Sequence, residues 1–556
     1  MLDCLVVGYH ELDFLLHEQM ALSKGQQSAE YGIFQRDHLL VDGHRLPYLD
    51  AISYFVNNSE RRRGGVGDHW YHITEVPNLA AVYLTSYLRK RGLGAEFVSF
   101  LSGDQARFQD LLILERPLAV AVTTTFYLTP LPVIDICSRI RQLQPGAVII
   151  VGGPLINNLV SDLNPDQLHR AFQEMDADVY VRESQGEAAL AELVRRLASG
   201  HDLRPVPNCY VRQGERYLFT PGPAEDNPLN DNAVDWDLFH DEEMGETVQM
   251  RTARSCAFKC SFCDYPVRAG GLSLADLEVV RKELAQLAAR GVRNVVFIDD
   301  TFNVPESRFR ELCRMMIEQR FGLSWFSYFR CSNVRGEDTF DLMAESGCRG
   351  VFLGIESADD GVLRNMSKRA SADQYRRGIE QLNRRGILSF ASFITGFPGE
   401  RDGSIERAID LLNDCAPTFY RAEPFWYNPR APVAREAERF GLRGQGYNWS
   451  HDTMDVSEAR RAVDRIFDEV TESVWMPMYM FDFWALPYLL GKGMTAEEIR
   501  SFLRSAQFTL PGAGRLPVDA AGHSELQTLA DNLNLEPARF RRQVSDCPPT
   551  QAGAVF

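Results

Sequence analysis

Short apolar runs alternate with helical stretches through the first 200 residues of the chain. Five runs predict strands, at 1–8, 95–100, 118–122, 147–151 and 179–181. Strands that alternate with helices form parallel sheets. The pattern therefore predicts a doubly wound (Rossmann-like) α/β domain over residues 1–206, with an insertion at about 9–75 between its first strand and its first helix.

A second series of strands and helices follows a stretch rich in Pro, Gly, Asn and Asp. Residues 207–240 predict a hairpin and a linker. Six strands are predicted after it, at 248–253, 294–298, 325–329, 350–353, 389–394 and 419–424. Six units are too few for a closed eightfold barrel, so 241–428 predicts a partial (β/α)6 barrel with its active site at the carboxyl ends of the strands. A mainly helical C-terminal domain is expected over 429–556.

Composition and charge narrow the class of protein. The chain has 556 residues, 45% of them hydrophobic, and 59 Lys and Arg against 76 Asp and Glu give a net charge of -17. Such a chain buries a core and lacks the positive field that attracts nucleic acid phosphates or anionic membranes. No stretch of about 20 apolar residues suggests a membrane span. We therefore expect a cytoplasmic protein without nucleic acid or membrane partners.

Three of the eleven cysteines are clustered, and eight are scattered singly. Cys256, Cys260 and Cys263 follow the first predicted barrel strand at the spacing C-x-x-x-C-x-x-C. Soft thiolate ligands favour zinc or an iron-sulfur cluster. Structural zinc takes four ligands, commonly as two pairs, and no second pair accompanies these cysteines. Three cysteines on a 4Fe-4S cluster leave one iron open for a substrate or cofactor.

Small residues follow three predicted strands of the first domain. They are Thr123, Thr124 and Thr125, then Gly152, Gly153 and Pro154, and finally Gly186 and Glu187. In doubly wound sheets such turns at the carboxyl ends of strands bind cofactors, although short Gly and Thr turns also end many ordinary strands. No G-x-G-x-x-G follows the first strand, so a ligand there is not expected to be NAD.

The cysteine spacing, with Phe262 before the last cysteine, resembles the signature of radical S-adenosylmethionine (SAM) enzymes. It stands at the end of the first strand of a six-unit barrel, as it does in that family. The resemblance implies a 4Fe-4S cluster on Cys256, Cys260 and Cys263, with SAM bound at its open iron. SAM contacts are expected from Phe262 and from the later strand ends, at Asp300, Arg330, Glu356, Ser357 and Gly396.

Each of these strand ends has an expected role by the same resemblance. Asp300 would hold the SAM ammonium and Arg330 its carboxylate, while Asp299 is expected to be a solvated turn carboxylate. Glu356 and Ser357 resemble ribose and carboxylate contacts, and the backbone at Gly396 resembles the segment beside the adenine. An ordinary surface arginine remains the alternative for Arg330.

A doubly wound domain in front of such a barrel resembles the cobalamin-dependent subclass of radical SAM enzymes. The resemblance implies that the Thr123–Thr125, Gly152–Pro154 and Gly186–Glu187 turns cradle a cobalamin. The Asp-x-His-x-x-Gly motif that supplies a lower axial histidine in many cobalamin proteins is absent from the first turn. His10 and His44 are the candidate cobalt ligands, and an ordinary surface or core histidine is the alternative for each.

Four segments resemble the radical SAM P-methyltransferase family of phosphinate natural-product biosynthesis: 251–266, 299–305, 448–455 and 473–477. This implies methylation, through a 5'-deoxyadenosyl radical and methylcobalamin, of an unactivated carbon or a phosphinate phosphorus in a biosynthetic intermediate. A non-methylating rearrangement, cyclisation or oxidation with the same cofactors is the alternative, and a cobalamin-binding regulator or electron carrier is a second one.

The implied partners are a small-molecule or carrier-bound substrate and an electron donor such as flavodoxin or ferredoxin. The C-terminal part is rich in aromatic residues and carries His451. His451 is a candidate proton-transfer group, with a capping or structural histidine as the alternative.

Overall fold

The structure, a computed structural model, describes residues 2–11, 14–479, 484–507 and 520–541. It divides into two compact units. The first consists of residues 1–16, 74–249 and 273–290, and the second of 17–73, 250–272 and 291–556. These units differ from the expected domains in three respects. Residues 273–290, expected in the barrel, belong with the first unit. The insertion belongs with the barrel, and residues 429–556 share that unit, although 480–483, 508–519 and 542–556 lie outside the described residues.

The first unit is built on a seven-stranded sheet. Across the sheet the strands are ordered Ala95–Phe100, Cys4–Tyr9, Ala119–Thr123, Val148–Gly152, Val179–Val181, Cys209–Gln213 and Arg216–Thr220. The first five are parallel, and the last two add an antiparallel hairpin. In chain order the parallel strands run 2-1-3-4-5, one of the common doubly wound arrangements.

Helices accompany the strands of this first sheet. They span Leu79–Arg89, Gln105–Asp110, Leu131–Leu143, Pro154–Asp162, Pro165–Met175, Glu187–Ala198, Leu229–Asn232 and Leu277–Ala289. Because helices cover both faces of a parallel sheet, its central strands are buried on both sides and are almost continuously apolar. Val120 and Ile149, on neighbouring strands, are fully buried in the resulting core.

A second seven-stranded sheet forms the partial barrel. Its strands follow the order of the chain: Thr247–Met250, Asn294–Phe297, Ser324–Phe329, Cys348–Glu356, Leu388–Thr395, Phe419–Pro424 and Val474–Trp475. The first six match the predicted strands, and the seventh lies in the segment expected to be helical. From Asn294–Phe297 onward the neighbouring strands are parallel. Their carboxyl ends therefore meet at one edge.

Helices and small sheets complete the second unit. The helices span Phe14–Ser23, Ala29–Arg36, Tyr48–Arg62, Tyr265–Ala269, Glu306–Gln319, Asp338–Glu345, Asp360–Asn365, Ala372–Arg384, Asp402–Cys415, Ala437–Phe440, Val456–Glu469, Ala485–Gly491, Ala496–Gln507 and Ala520–Asn532. His38–Val41 pairs with His44–Pro47, and a three-stranded sheet joins Arg443–Gln445, Asn448–His451 and Met454–Asp455.

The insertion packs on the C-terminal part of the chain. Strand His69–Trp70 pairs antiparallel with Phe540–Arg541. The Gln527 side chain donates to Ser59 Oγ at 2.9 Å. These contacts explain why residues 17–73 do not extend the first sheet.

Among the described residues, no helix is both long enough and apolar enough to cross a bilayer.

A glycine after the strand Val148–Gly152 is expected to be irreplaceable. Gly153 has φ +111°, and a Cβ there would lie 2.8 Å from Thr124 Oγ1. We expect Gly153→Ala to lower the free energy of unfolding by about 2–4 kcal/mol, through backbone strain and overpacking together. The measurement is a urea titration followed by circular dichroism.

Gly92 provides the matched control for this substitution. Its φ is +74°, and no atom lies within 4 Å of its Cβ position. Gly92→Ala should therefore lose only about 1 kcal/mol, for the left-handed backbone alone. Equal losses in the two variants would contradict the packing argument.

Candidate active site

The loop that carries the three cysteines is fixed at its start by a buried carboxylate. Asp299 is 2% exposed and accepts hydrogen bonds from the Thr252 N–H at 2.7 Å, the Thr252 hydroxyl at 2.5 Å and the Ala253 N–H at 2.9 Å. Burial raises the pKa of this carboxyl group. The expectation of a solvated Asp299 was wrong, because the backbone donors of the neighbouring strand end enclose the side chain.

The three cysteines are free thiols on one loop. Cys260 is buried, and its carbonyl accepts the Cys263 N–H at 3.1 Å, while Cys256 Sγ lies 3.5 Å from Thr301 Oγ1. Burial raises the pKa of the Cys263 thiol to about 11, so a metal that binds there must displace its proton. Among the described residues, no three His, Cys, Asp or Glu side chains are gathered as one metal ion requires.

Arg330 projects from the third barrel strand toward this loop. Asn303 holds its backbone on both sides, since it accepts the Arg330 N–H and donates to the Arg330 carbonyl, each at 3.0 Å. The guanidinium lies 3.6 Å from the ring centre of Phe258, and its Nη1 is 4.0 Å from Cys260 Sγ. Nε donates to Ser332, whereas the buried Nη2 has no hydrogen-bond partner. Arg330 forms no ion pair with a carboxylate among the described residues, so Nη2 is available to an acceptor on a ligand.

The other expected SAM contacts have different environments. Glu356 sits at a bulge with φ +67°, and Lys368 Nζ donates to its Oε1 at 2.9 Å, so its charge is already paired. Ser357 is buried, and its hydroxyl accepts the Asp359 N–H at 3.1 Å. Asp300 is exposed. Phe262 lies on the cysteine loop, with Lys368 Nζ 5.6 Å from its ring centre.

Gly396 is held in place by two buried side chains. Its N–H donates to Glu400, and its carbonyl accepts His451 Nε2 at 2.9 Å. A Cβ at Gly396 would come within 2.7 Å of the Trp449 ring. The second nitrogen of His451, Nδ1, accepts the Thr453 N–H at 3.3 Å. Both ring nitrogens of His451 are thus engaged with the backbone in this structure, which fits the structural alternative for this histidine.

A cavity of about 210 Å³ opens beside the cysteine loop, at the carboxyl ends of the fifth and sixth barrel strands. Ser392 and Ile394 line it from one strand, with Arg421 and Glu423 directly opposite on the next. Its remaining side chains are mainly aromatic, and they include Phe262. Alternate residues of each strand point the same way, so these four positions share the inner face of the barrel.

In the first unit, the expected cofactor turns lie at the carboxyl edge of the sheet. The order of the strands reverses between Cys4–Tyr9 and Ala119–Thr123, which is where doubly wound sheets bind ligands. Thr124 is buried, and its hydroxyl donates to the Gly152 carbonyl at 3.0 Å. Thr123 and Thr125 bond to each other through their hydroxyl groups at 2.9 Å, and Thr125 is exposed.

The third turn and the two histidines behave differently. Gly186 precedes the helix Glu187–Ala198, and Glu187 is buried, where it accepts the Asn227 side chain at 3.2 Å. His10 Nε2 lies 2.6 Å from Asp135, and His10 Nδ1 lies 3.0 Å from Ser102. His44 belongs to the second unit, whereas the three turns belong to the first.

Sequence reasoning missed several residues that shape the site. They are Asp37, Asn303, Lys368 and Glu400, all buried polar side chains. Glu400 ends the segment Gly396-Phe397-Pro398-Gly399-Glu400. The glycines of this segment predict a tight turn, and the backbone N–H groups of such a turn need an acceptor. Asp37 carries no such local signal, because its partner Arg421 lies 384 positions away.

Comparison with known proteins identifies the barrel. The sequence model of the radical SAM superfamily matches residues 250–412. This part of the chain is a radical SAM domain. An uncharacterized methyltransferase of Pyrococcus horikoshii is 26% identical over 348 residues, which cover 60% of this chain and 73% of that protein.

A second relative is named for a cyclisation and not for a methyl transfer. The anaerobic magnesium-protoporphyrin IX monomethyl ester cyclase of Synechocystis is 24% identical over 281 residues, 49% of this chain. The chain spans about half of that cyclase, 54% of its length.

A solved structure extends the likeness beyond the radical SAM domain. The radical SAM methyltransferase TsrM of Kitasatospora setae, with cobalamin and a 4Fe-4S cluster bound, matches with a TM-score of 0.57 at 20% identity. The match covers 78% of this chain and 97% of that one. Similarity at this identity shows the fold, and the expected fold class, a doubly wound α/β domain followed by a partial barrel, is confirmed.

The buried Glu400 predicts how stability depends on pH. Burial raises the pKa of its carboxyl group from 4.5 to about 8. Between these values the folded state holds a proton that the unfolded chain releases. The free energy of unfolding should therefore fall as pH rises from about 4.5 to 8, by up to about 1.4 kcal/mol per pH unit from this group.

Glu400→Gln tests this dependence, because the amide oxygen still accepts the Gly396 N–H and cannot ionise. Urea midpoints at pH 5.5 to 8.5 should decline less steeply in Glu400→Gln than in the unaltered protein. Glu438→Gln, at an exposed position, is the control and should follow the unaltered protein. Parallel curves for all three proteins would contradict the assignment.

Proposed function

We propose that this protein is a cobalamin-dependent radical SAM methyltransferase. Its substrate would be a natural-product biosynthetic intermediate, methylated at an unactivated carbon or a phosphinate phosphorus. The observation that carries the proposal is the loop of Cys256, Cys260 and Cys263 at a barrel strand end, with the free Nη2 donor of Arg330 above it. Three soft ligands and one unpaired cation suit a cluster with an open iron and a bound carboxylate.

In this proposal the chain's own residues prepare the SAM site. Arg330 would bind the SAM carboxylate through Nη2, since a buried guanidinium nitrogen without an acceptor gains most from a charged one. The segment at Gly396 is the proposed neighbour of the adenine, and Glu400 and His451 fix its backbone. Asp300, Glu356, Ser357 and Phe262 remain proposed SAM contacts.

The ion pair of Glu356 with Lys368 affects which part of SAM Glu356 would contact. Lys368 already neutralises Glu356 at 2.9 Å, so a hydrogen bond to a neutral ribose hydroxyl suits it better than an ion pair with an ammonium. The exposed Asp300 is the better match for the SAM ammonium.

The first unit is proposed as the corrinoid domain. Thr123, Thr125, Gly152, Gly153 and Pro154 would contact the cofactor, and Thr124 would hold their turns together by its bonds to Gly152. The lack of a Cβ at Gly153 lets the Thr124 side chain and backbone pack against this turn, which sets the shape of the proposed cofactor edge. Gly186 and Glu187 remain proposed contacts for its tail, although Glu187 is directed into the protein.

When bound, a reduced cluster supplies an electron to SAM, and methylcobalamin supplies a methyl group. TsrM, which binds both cofactors, and the Pyrococcus methyltransferase support methyl transfer. The likeness to a cyclase keeps a non-methylating outcome as the second candidate. Formation of S-adenosylhomocysteine in proportion to product separates the two, because a rearrangement consumes no methyl group.

The proposal also implies partners and a compartment. A small-molecule or carrier-bound substrate and an electron donor such as flavodoxin or ferredoxin are required, and none of the proposed steps involves nucleic acid or a membrane. All ten cysteines of the described residues are free, which suits the reducing cytoplasm.

The first test is anaerobic incubation of the reconstituted protein with SAM, methylcobalamin and a reductant. We expect 5'-deoxyadenosine, with about four irons and one corrinoid per chain. Cys260→Ala should lose the cluster and all SAM cleavage, whereas Cys415→Ala, outside the loop, should retain both. An iron-free protein that binds zinc, or turnover in Cys260→Ala, would overturn the proposal.

A second test concerns Arg330. Arg330→Gln should weaken SAM binding about tenfold, since a charge-assisted bond is worth about 1.5–3 kcal/mol, and it should leave the iron content unchanged. Arg349→Gln, at an exposed barrel position, serves as the control. Equilibrium dialysis with labelled SAM measures the affinity, and an unchanged value in Arg330→Gln would remove this residue from the site.

A further inference from the structure

Among the described residues that line the cavity beside the cysteine loop, one side chain is cationic. All of its hydrogen-bond donors are already used within the protein. Arg421 is 2% exposed, and its five N–H groups make five hydrogen bonds. Asp37 accepts at 2.5 and 3.2 Å, Glu423 accepts at 2.9 and 2.5 Å, and the Met476 carbonyl accepts at 3.3 Å. Arg421 therefore has no donor left for an anionic ligand.

Two carboxylates share the single positive charge of Arg421, and one of them, Glu423, lines the cavity. Asp37 is buried, and it also accepts the Met478 N–H at 2.9 Å. Glu423 is 34% exposed and uses Oε1 for both of its bonds to Arg421. Its Oε2 makes no hydrogen bond with any residue that the structure describes. In this group of one cation and two carboxylates, Oε2 of the cavity-lining Glu423 is the carboxylate oxygen left without a bond to a described residue.

Aromatic rings form most of the remaining wall. The five that line the cavity are Phe262, Phe393, Phe425, Trp426 and Tyr447. Trp426 is 52% exposed, so much of its ring surface is accessible to a ligand in the cavity. Burial and the nearby charge of Glu423 raise the pKa of the Tyr447 hydroxyl, so it stays neutral. Aromatic faces beside a carboxylate attract organic cations.

From these contacts we infer that the cavity binds the ammonium group of a substrate with an apolar, ring-bearing body, and that it disfavours a phosphinate anion. Glu423 Oε2 would accept from the ammonium while the rings enclose the body. An anion would meet an unbonded carboxylate and no free cation, which is repulsive in a partly buried site. The inference rests on the proposed function and selects carbon over phosphorus as the methylated atom.

The position of the cavity fits a substrate site. Phe262 lies between Cys260 and Cys263, so its ring belongs both to the cysteine loop and to the cavity wall. At about 210 Å³ the cavity is smaller than the roughly 300 Å³ of common ligand pockets, which suits a compact amine.

Three aromatic probes with the same number of heavy atoms and different charge test the inference: 2-phenylethylamine, 2-phenylethanol and phenylphosphinate. Calorimetric titration of the anaerobically reconstituted full chain, at pH 7.5 without SAM, gives their dissociation constants. We expect the amine to bind at least tenfold more tightly than the alcohol, and the phosphinate to bind most weakly. Equal affinity for amine and alcohol, tightest binding of the phosphinate, or no binding of the amine at 10 mM would each overturn the inference.

Variants assign the preference to individual residues. Glu423→Gln should remove the amine's advantage over the alcohol, while Glu438→Gln, at the surface, should keep it. Trp426→Ala changes a half-exposed ring without disturbing the core, and it should weaken the amine about fivefold. An unchanged preference in Glu423→Gln with a native circular dichroism spectrum, or an unchanged amine affinity in Trp426→Ala, would refute the assignment.

Failure of this inference can be told apart from failure of the proposed function. The probe affinities are measured without SAM, and SAM cleavage is measured on the unaltered protein without probes. A protein that makes 5'-deoxyadenosine and prefers phenylphosphinate would overturn the substrate class alone. A protein that prefers the amine and never cleaves SAM would overturn the proposed function alone.

Discussion

A guanidinium buried away from water needs a hydrogen-bond acceptor for each of its N–H groups. In the second unit, the buried side chain of Arg421 has this requirement. The sixth barrel strand supplies Glu423, the residue after the neighbouring strand Val474–Trp475 supplies the Met476 carbonyl, and Asp37 comes from the far end of the chain. Removing one partner from such a buried pair typically costs about 3–5 kcal/mol. The segment 17–73 is thereby committed to the barrel, and the inner face of the barrel acquires its acidic character.

Polar side chains link successive strand ends around the same edge. Asp299 joins the second strand end to the first, Asn303 joins the second to the third, and Glu400 with His451 fixes the turn after the fifth. These links hold the backbone in position before any cofactor binds. A site prepared in this way loses little conformational entropy when a cofactor or substrate binds.

Most of the fold and about half of the candidate site residues could be predicted from local sequence patterns. A signal within a few residues predicts each of the first six barrel strands, the cysteine loop and the glycine turns. Apolar runs, ligand spacing and tight turns are all local features of the sequence. The two-residue strand Val474–Trp475 is too short to leave a pattern. Asp299 looked solvated since its donors lie 46 and 47 positions away, and the placement of residues 17–73 depends on Asp37 and Arg421, which no periodicity connects.

The distance along the chain between Asp37 and Arg421 also affects synthesis. A ribosome adds about 5–20 residues per second, so Asp37 leaves the exit tunnel roughly 20–80 s before Arg421 does. During that interval the segment around Asp37 has neither its ion-pair partner nor the C-terminal helix that covers Tyr48–Arg62. The nascent chain therefore carries an incomplete second unit until the helix Ala520–Asn532 has been made, and a chaperone that shields apolar surface could bind it during that period.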